Sequence, residues 1–370
     1  MKITDVKLTA FRRPMPESSK ETMIKGYSVA SLLSDSVAIQ IFTDEGFVGE
    51  NISLGGGLGM AHYLARTIKP FLIGRDPEYL EQIWQDMWEL NRIWFSPQFA
   101  IGSIDVALWD LYGKILNRPL YKILGAYQDT LPVYGSSMTK ATPELFVEEA
   151  LKYKELNFHG YKIHPAGHDP KADIKTCAMV REAVGDDYVL MLDAVSAYNQ
   201  REALYVGRAI EEMGFYWFEE PMREYDMHGY RMLCDKLDIP IMGVENNEGG
   251  LYTTAEFIAS RAIDIARSDV SLKYGVMQVK KTAALAEAFG MNLEVHTNPN
   301  PMLDAANLHI ALTLKNTDFF EQFVPEHVVR YGTENWVEID KDGYVHAPEG
   351  PGHGLRIDWD FVNAHTLAVL

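Results

Sequence analysis

Along the first 55 residues, short runs of β-forming residues alternate with turn signals. Val37, Ile39 and Ile41 recur with period two, Asp44-Glu45-Gly46 reads as a turn, and Phe47-Val48 resumes the extended pattern. A small antiparallel sheet is predicted. Glu17 to Gly26 is mostly polar, and Gly55-Gly56-Gly57 follows the sheet. Both stretches read as loops, either plain surface connections or parts of an active-site lid. From Met60 to Leu124 apolar residues recur at helical spacing, Ile104, Ala107, Leu108 and Leu111 among them, and the stretch ends at Gly125. That predicts a helical layer over the sheet. Beyond about residue 130, short apolar strands alternate with helical segments, as in βαβ units with a parallel sheet. The predicted strands are Leu131–Tyr134, Gly160–His164, Tyr188–Asp193, Phe215–Glu219, Pro240–Glu245, Ile263–Asp269, Met291–His296 and Phe319–Glu321. Eight such units without antiparallel interruption, and without the glycine fingerprint of a nucleotide crevice, favour a closed α/β barrel over an open doubly wound sheet. From about Gly332 the chain reads as an irregular tail rich in glycine and proline, expected to pack back on the first domain.

Composition narrows the function more than the fold. The chain has 370 residues, 47% hydrophobic and 23% charged, an ordinary globular composition whose length fits a barrel with an added module. Its formal charge of -18, from 34 basic and 52 acidic residues, repels a phosphate backbone, so nucleic acid is not an expected partner. An anionic ligand on such a protein needs something locally positive to hold it. Cys177 and Cys234 do not make a disulfide framework. The start, Met1 to Asp5, lacks a signal-peptide pattern, and nowhere do about 18 apolar residues run together. A cytoplasmic protein without a membrane span is the expectation.

Candidate chemistry sits at the C-terminal ends of the predicted strands, where barrel enzymes place it. His164, Asp193, Glu219, Glu245, Asp269, His296 and Glu321 follow one another at intervals of 24 to 29 residues, one strand–helix unit each. On adjacent barrel strands they converge around one mouth. Asp193, Glu219 and Glu245 each end an apolar run, and three carboxylates held there call for a bound cation. All-oxygen ligation suits Mg²⁺, with Mn²⁺ close behind. The competing reading makes them helix caps or salt-bridge partners. Lys162 and His164, at i and i+2, share one strand face. Near a divalent cation and each other, both are expected to lose protons more readily than usual, preparing one as a base. Asp269 and His296 end neighbouring strands, so the carboxylate can accept from one imidazole nitrogen and leave the other for proton exchange. Glu321 is either a hydrogen-bond donor to a substrate carboxylate, if it keeps its proton, or a rim charge.

These motifs resemble the enolase superfamily, and within it the mandelate racemase subgroup, over nearly the whole chain. The resemblance is carried by Ile104-Asp105-Val106-Ala107-Leu108-Trp109-Asp110, Pro119-Leu120 with Leu124-Gly125, Phe218-Glu219-Glu220-Pro221, Val244-Glu245-Asn246, and Asp264 to Val270. It implies a (β/α)7β barrel, a modified (β/α)8 barrel lacking its last helix, with an α+β N-terminal capping domain. Residues 1–128 would form the cap, 129–330 the barrel, and 331–370 a segment returning to the cap. It further implies Mg²⁺ held by Asp193, Glu219 and Glu245, a homo-oligomer, and a substrate-selecting lid that includes Glu17 to Gly26. Two positions depart from the family pattern. Lys162-Ile163-His164 stands where many members have Lys-x-Lys, putting His164 at the usual base position, and Val195 stands where asparagine often follows the first ligand.

The expected activity is removal of the proton alpha to a carboxylate followed by loss of the neighbouring hydroxyl, the dehydration of a sugar acid to a 2-keto-3-deoxy acid. Lys162 or His164 is the base on one face, and His296 with Asp269 the acid or base on the other. The alternatives are a racemase or epimerase using the same enediolate, and, from another class, a non-catalytic binding barrel.

Overall fold

A computed structural model describes residues 1–14, 35–167 and 169–370, together with the two-residue strands Met23–Ile24 and Tyr27–Ser28. Apart from Met23–Ile24, the segment Glu17 to Gly26 expected in the lid lies outside the described residues.

The N-terminal strands are β1 (Ile3–Arg12), β2 (Met23–Ile24), β3 (Tyr27–Ser28), β4 (Asp35–Thr43) and β5 (Val48–Ile52). β2 and β3 pair with each other, while β1, β4 and β5 form an antiparallel sheet. The period-two residues Val37, Ile39 and Ile41 are fully buried against Leu64, Ile68, Ile104, Leu108 and Leu111 of the helical layer, as alternation on a half-covered sheet requires. Helix Gln98–Leu116 is buried nearly all round because it lies between this sheet and the barrel. Gly49 lets β5 approach it: a Cβ there would stand 2.2 Å from the Ala107 carbonyl oxygen. The triple glycine is less of a loop than its composition suggests, since helix Gly57–Tyr63 starts within it and Gly56 takes the left-handed turn before it.

The eight predicted barrel strands all form: β6 (Thr130–Ser137), β7 (Gly160–Ile163), β8 (Val189–Asp193), β9 (Phe218–Glu219), β10 (Ile241–Gly243), β11 (Ile265–Ser268), β12 (Asn292–Val295) and β13 (Phe320–Val324). They pair in parallel in the order β12-β11-β10-β9-β8-β7-β6-β13. The path's two ends are stitched by side chains. Buried Glu294 of β12 accepts from the Asp318 and Phe319 amides at 2.9 and 3.2 Å, and the Thr297 amide donates to Glu321 of β13 at 2.9 Å. Several helices are started by their own sequence, as where Asp169-Pro170 and Asn300-Pro301 supply an acceptor at the cap and proline in the first turn. The barrel floor is apolar, built from Tyr134, Met191, Trp217, Met242 and Ile265.

β9 and β10 are shorter than the apolar runs suggest. The backbone leaves the ladder beside the polar residues, with positive φ at Val195, Ser196, Glu220 and Val244. Non-glycine residues in that region are strained, and here they cluster where strands β8 to β10 open into loops.

The tail is more regular than its glycine and proline content suggests. β14 (Tyr344–His346) pairs antiparallel with β6, and β15 (Thr366–Val369) pairs with β1, giving the cap sheet the order β15-β1-β4-β5. Leu355, Ile357 and Val362 cover the second face of that sheet with Phe11, Ala38 and Ile52. Such pairings depend on a distant partner strand, which local composition does not report. No described helix is long and apolar enough to cross a membrane.

Candidate active site

Above the apolar floor lies a layer of charge. Lys162 of β7 is fully buried, and its ammonium lies 2.7 Å from Glu321 Oε1, 2.8 Å from Glu219 Oε2 and 3.6 Å from Asp193 Oδ2. Arg267 of β11, also fully buried, answers it from the other side. Its Nε is 2.9 Å from Glu219 Oε1, and its Nη2 reaches Glu321 Oε2 at 2.5 Å and the Tyr134 hydroxyl at 3.1 Å. Both oxygens of Glu219 therefore face a cation, and the Trp217 indole N–H donates to Oε2 at 3.1 Å.

These contacts bear on Lys162 and correct the expectation for Glu321. Burial and the nearby Arg267 act to lower the pKa of Lys162, but Glu219 and Glu321 outweigh them and hold it well above its ordinary value. Its two close carboxylate partners thus favour the ammonium form of Lys162. Glu321 is neither a rim charge nor a proton-bearing donor. Burial favours its neutral form, yet Arg267 and Lys162 dominate and keep it a carboxylate, accepting from Thr297.

The remaining predicted residues join the same network. His164, just beyond β7, has Nε2 2.9 Å from Asp193 Oδ2, and its buried Nδ1 lacks a hydrogen-bond partner among the described residues. Burial works against the Asp193 charge, but His164 and Lys162 lower its pKa well below the usual carboxylate range. Asp269 and His296 meet, Oδ2 to Nδ1, at 2.7 Å. The other Asp269 oxygen accepts from the Ser271 amide, the Ser271 hydroxyl and the Leu272 amide at 2.5 to 2.7 Å. Burial alone would lower the imidazole pKa of His296; Glu245, the Asp269 hydrogen bond and Glu321 instead push it up to about 9. His296 Nε2 lies 3.6 Å from Glu245 Oε1. Burial raises the Glu245 pKa above the ordinary carboxylate value.

Asp193, Glu219 and Glu245 are thus neighbours linked through shared cations, Lys162 between the first two and Arg267 between the last two, at 2.9 and 3.9 Å. Among the described residues no three acidic or imidazole groups converge on a single point as a ready-made metal cage. The oxygens are turned toward the chain's own cations.

Three contributors went unassigned in the sequence. Arg267 lies two residues before Asp269, so the same period-two rule that pairs Lys162 with His164 puts it on the barrel's inner face. Glu220 accepts the Glu245 amide at 2.7 Å and the Tyr230 hydroxyl at 3.0 Å, with its pKa raised to about 8 by burial and by Glu245. Only its position beside Glu219 marked it. Lys273, buried, with its pKa lowered to about 8 by burial, donates to the Asn247 carbonyl at 2.9 Å and ties the loop after β11 to the loop after β10. A lysine in a loop carries no local signal of burial.

Comparison with known proteins places the chain in a family. Residues 145–361 match the family model described as enolase C-terminal domain-like, and residues 23–125 match the mandelate racemase / muconate lactonizing enzyme N-terminal domain. The chain is 31% identical over 333 residues to the arabinonate dehydratase of Saccharolobus solfataricus, covering 87% of this chain and 88% of that one. It is 27% identical over 380 residues to the N-succinyl-L-Arg/Lys racemase of Bacillus cereus, covering 99% and 98%. The crystal structure of D-glucarate dehydratase from Agrobacterium tumefaciens complexed with magnesium superposes with a TM-score of 0.88 at 33% identity, covering all of both chains. The chain is an enzyme, a lyase by main class with isomerase as the alternative, and it belongs to the enolase superfamily, in the mandelate racemase subgroup.

Proposed function

We propose that this enzyme dehydrates a sugar acid to a 2-keto-3-deoxy acid, with Mg²⁺ held by Asp193, Glu219 and Glu245. The observation that carries the reading is the Asp269–His296 dyad. An imidazole whose pKa is about 9 holds a proton at neutral pH, which suits a group that donates to a departing hydroxyl. His164 stands just after β7 and His296 just after β12, on either side of the carboxylate strands β8 to β10. His164 is the proposed base because Lys162 is committed to Glu219 and Glu321. It takes the proton from the carbon next to the substrate carboxylate, and the electron pair of that C–H bond moves into an enediolate. As the pair returns, the neighbouring C–O bond breaks, His296 protonates the leaving oxygen, and water departs. The enol that remains tautomerises to the ketone.

The charge of the site supports the metal. The carboxyl groups of Asp193, Glu219, Glu245, Asp269 and Glu321 outnumber the basic side chains Lys162, Arg267 and His296 that they face, an excess that a divalent ion would offset. When bound, that ion supplies positive charge to the substrate carboxylate oxygens as negative charge grows on them. Mn²⁺ suits the same all-oxygen donors.

Racemisation or epimerisation at the same carbon is the second reading, favoured by the same two histidines if His296 returns a proton to carbon. Proton NMR in D₂O separates the two. A keto-deoxy product from a panel of mono- and diacid sugars supports dehydration, whereas deuterium at the α-carbon without a keto product supports epimerisation. Mg²⁺ at a hundred times its dissociation constant is expected to stabilise the metal-free protein by about 2.7 kcal/mol. No thermal shift and no calorimetric heat would remove the metal from the proposal. We further propose a cytoplasmic homo-oligomer divided as 1–128, 129–330 and 331–370; light scattering on the purified protein tests the assembly.

A further inference from the structure

The motif Ile104 to Asp110 lies in the capping helix Gln98–Leu116, away from the charged layer, yet it carries two buried aspartates and is flanked by two buried glycines, Gly102 and Gly113. Each half of the helix touches a different partner. Asp110 accepts from the Glu50 amide at 2.8 Å and the His353 amide at 3.2 Å, and a Cβ on Gly113 would lie 2.5 Å from Gly352, so this half clasps the C-terminal segment. Asp105 and Gly102 reach the barrel. Asp105 Oδ2 accepts the Val276 amide at 2.7 Å at the start of helix Val276–Ala288, and Gly275, at φ +122°, leaves no room for a side chain beside it. Gly102 packs its Cα on the same loop: a Cβ there would stand 2.3 Å from the Val270 carbonyl oxygen and 2.8 Å from that of Ser271. Trp84 of helix Leu80–Trp94 donates to the Tyr274 carbonyl at 2.6 Å.

Residues 270–276 are the loop whose Ser271 and Leu272 amides hold Asp269. On its barrel side the loop is tied by Val270 to Asn307 at 3.0 Å and by Lys273 to Asn247. On its outer side the cap makes the contacts. We infer that Gly102 and Asp105 are positioning residues for the Asp269–His296 dyad, acting through the 270–276 loop, so that the capping helix sets the geometry of proton transfer as well as covering the sheet. This rests on the catalytic reading of the dyad. Burial keeps the Asp105 carboxyl largely protonated, with a pKa of about 8, so asparagine is a close mimic.

The test compares two clashes on one helix. Gly102→Ala pushes on the 270–276 loop; Gly113→Ala pushes on Gly352. Both are expected to lower the melting temperature. Only Gly102→Ala is expected to speed amide exchange at Ser271, Leu272 and Val276, and to lower kcat by about 10- to 100-fold with KM and Mg²⁺ affinity little changed, since displacement near 1 Å costs about that much. Asp105→Leu should behave like Gly102→Ala, and Asp105→Asn should restore turnover. Trp84→Phe, which removes the indole donor and leaves a smaller ring in its buried place, gives a milder version should either variant fail to fold. Equal losses of kcat in Gly102→Ala and Gly113→Ala, or unchanged exchange at 271–276, would overturn the inference. Faster exchange with undiminished kcat would instead refute the catalytic reading of the dyad while leaving the mechanical contact standing.

Discussion

The two walls of the barrel mouth are built from the same strand–helix unit and carry opposite charge. β8 and β9 end in Asp193 and Glu219 and β10 leads into Glu245, carboxylates only, while β7, β11 and β12 and the residues just after them bring Lys162, His164, Arg267 and His296, with Asp269 beside His296. The carboxylate wall is turned toward Lys162 and Arg267, and in the proposed reaction it would also hold a cation from solution. The basic wall is already partnered, Lys162 and Arg267 by Glu219 and Glu321, His296 by Asp269. The difference separates two kinds of basic group. Lys162 and Arg267 are fully buried and fixed by more than one carboxylate each, which suits holding geometry and charge. The two histidines are each held closely through one nitrogen, His164 Nε2 by Asp193 and His296 Nδ1 by Asp269, an arrangement that suits the proposed proton transfer at the other.

Glu219 is where the walls meet, so its loss should break the comparison most completely. Glu219→Gln leaves Lys162 and Arg267 facing an amide; a broken buried pair of this kind costs about 3 to 5 kcal/mol, and turnover and calorimetric Mg²⁺ binding should both disappear. Full turnover in this variant would sink the metal assignment. Next come the histidines, each expected to cost about 10² to 10⁴-fold in turnover. His164→Asn should stop exchange of the α-proton with D₂O, whereas His296→Asn should retain that exchange and lose release of water. Identical phenotypes would erase the proposed division between base and acid.

A smaller effect is read through pH. Because Glu245 and the Asp269 hydrogen bond hold the proposed acid His296 in its protonated form, dehydration by the loaded enzyme should fall by about tenfold per pH unit once pH passes its raised pKa. The same shift contributes stability that is complete below about pH 6.5, the ordinary imidazole value, and is lost as pH rises through about 9. Thermal melts of metal-free protein across that range check the sign, with His296→Asn as the flat control. The smallest expected effect is at Val195, which is 61% exposed and adopts φ +48° with a β-branched side chain. Val195→Asn, better suited to that conformation, should stabilise by about 1 kcal/mol and raise the melting temperature by about 2 °C without changing kcat.

Much of this site could be read in the linear chain because a barrel turns regular spacing into proximity. Strand ends 24 to 29 residues apart become neighbours around one mouth, so Asp193, Glu219, Glu245, Asp269 and His296 pointed to one another before any coordinates. Lys162 was found by its alternation with His164, but its protonation was not, because that depends on how close Glu219 and Glu321 stand to its ammonium. The same limit hid Arg267, whose alternation with Asp269 was visible while its two nearest carboxylate partners lie on β9 and β13. Regular structure in the tail was missed for a related reason, since β15 is mostly exposed and is a strand only because β1 offers an edge.

The sequence by itself determined the elements, their order, the apolar faces that bring them together, and the height at which each polar residue stands on its strand. Those follow from periods of two and 3.6 and from one repeated unit, which are properties of neighbouring residues. The tertiary structure decided which charges are shared, which groups keep their protons, and which loop the capping helix grips. These rest on distances of about 3 Å between atoms from remote parts of the chain, and on the loss of water that makes such distances matter.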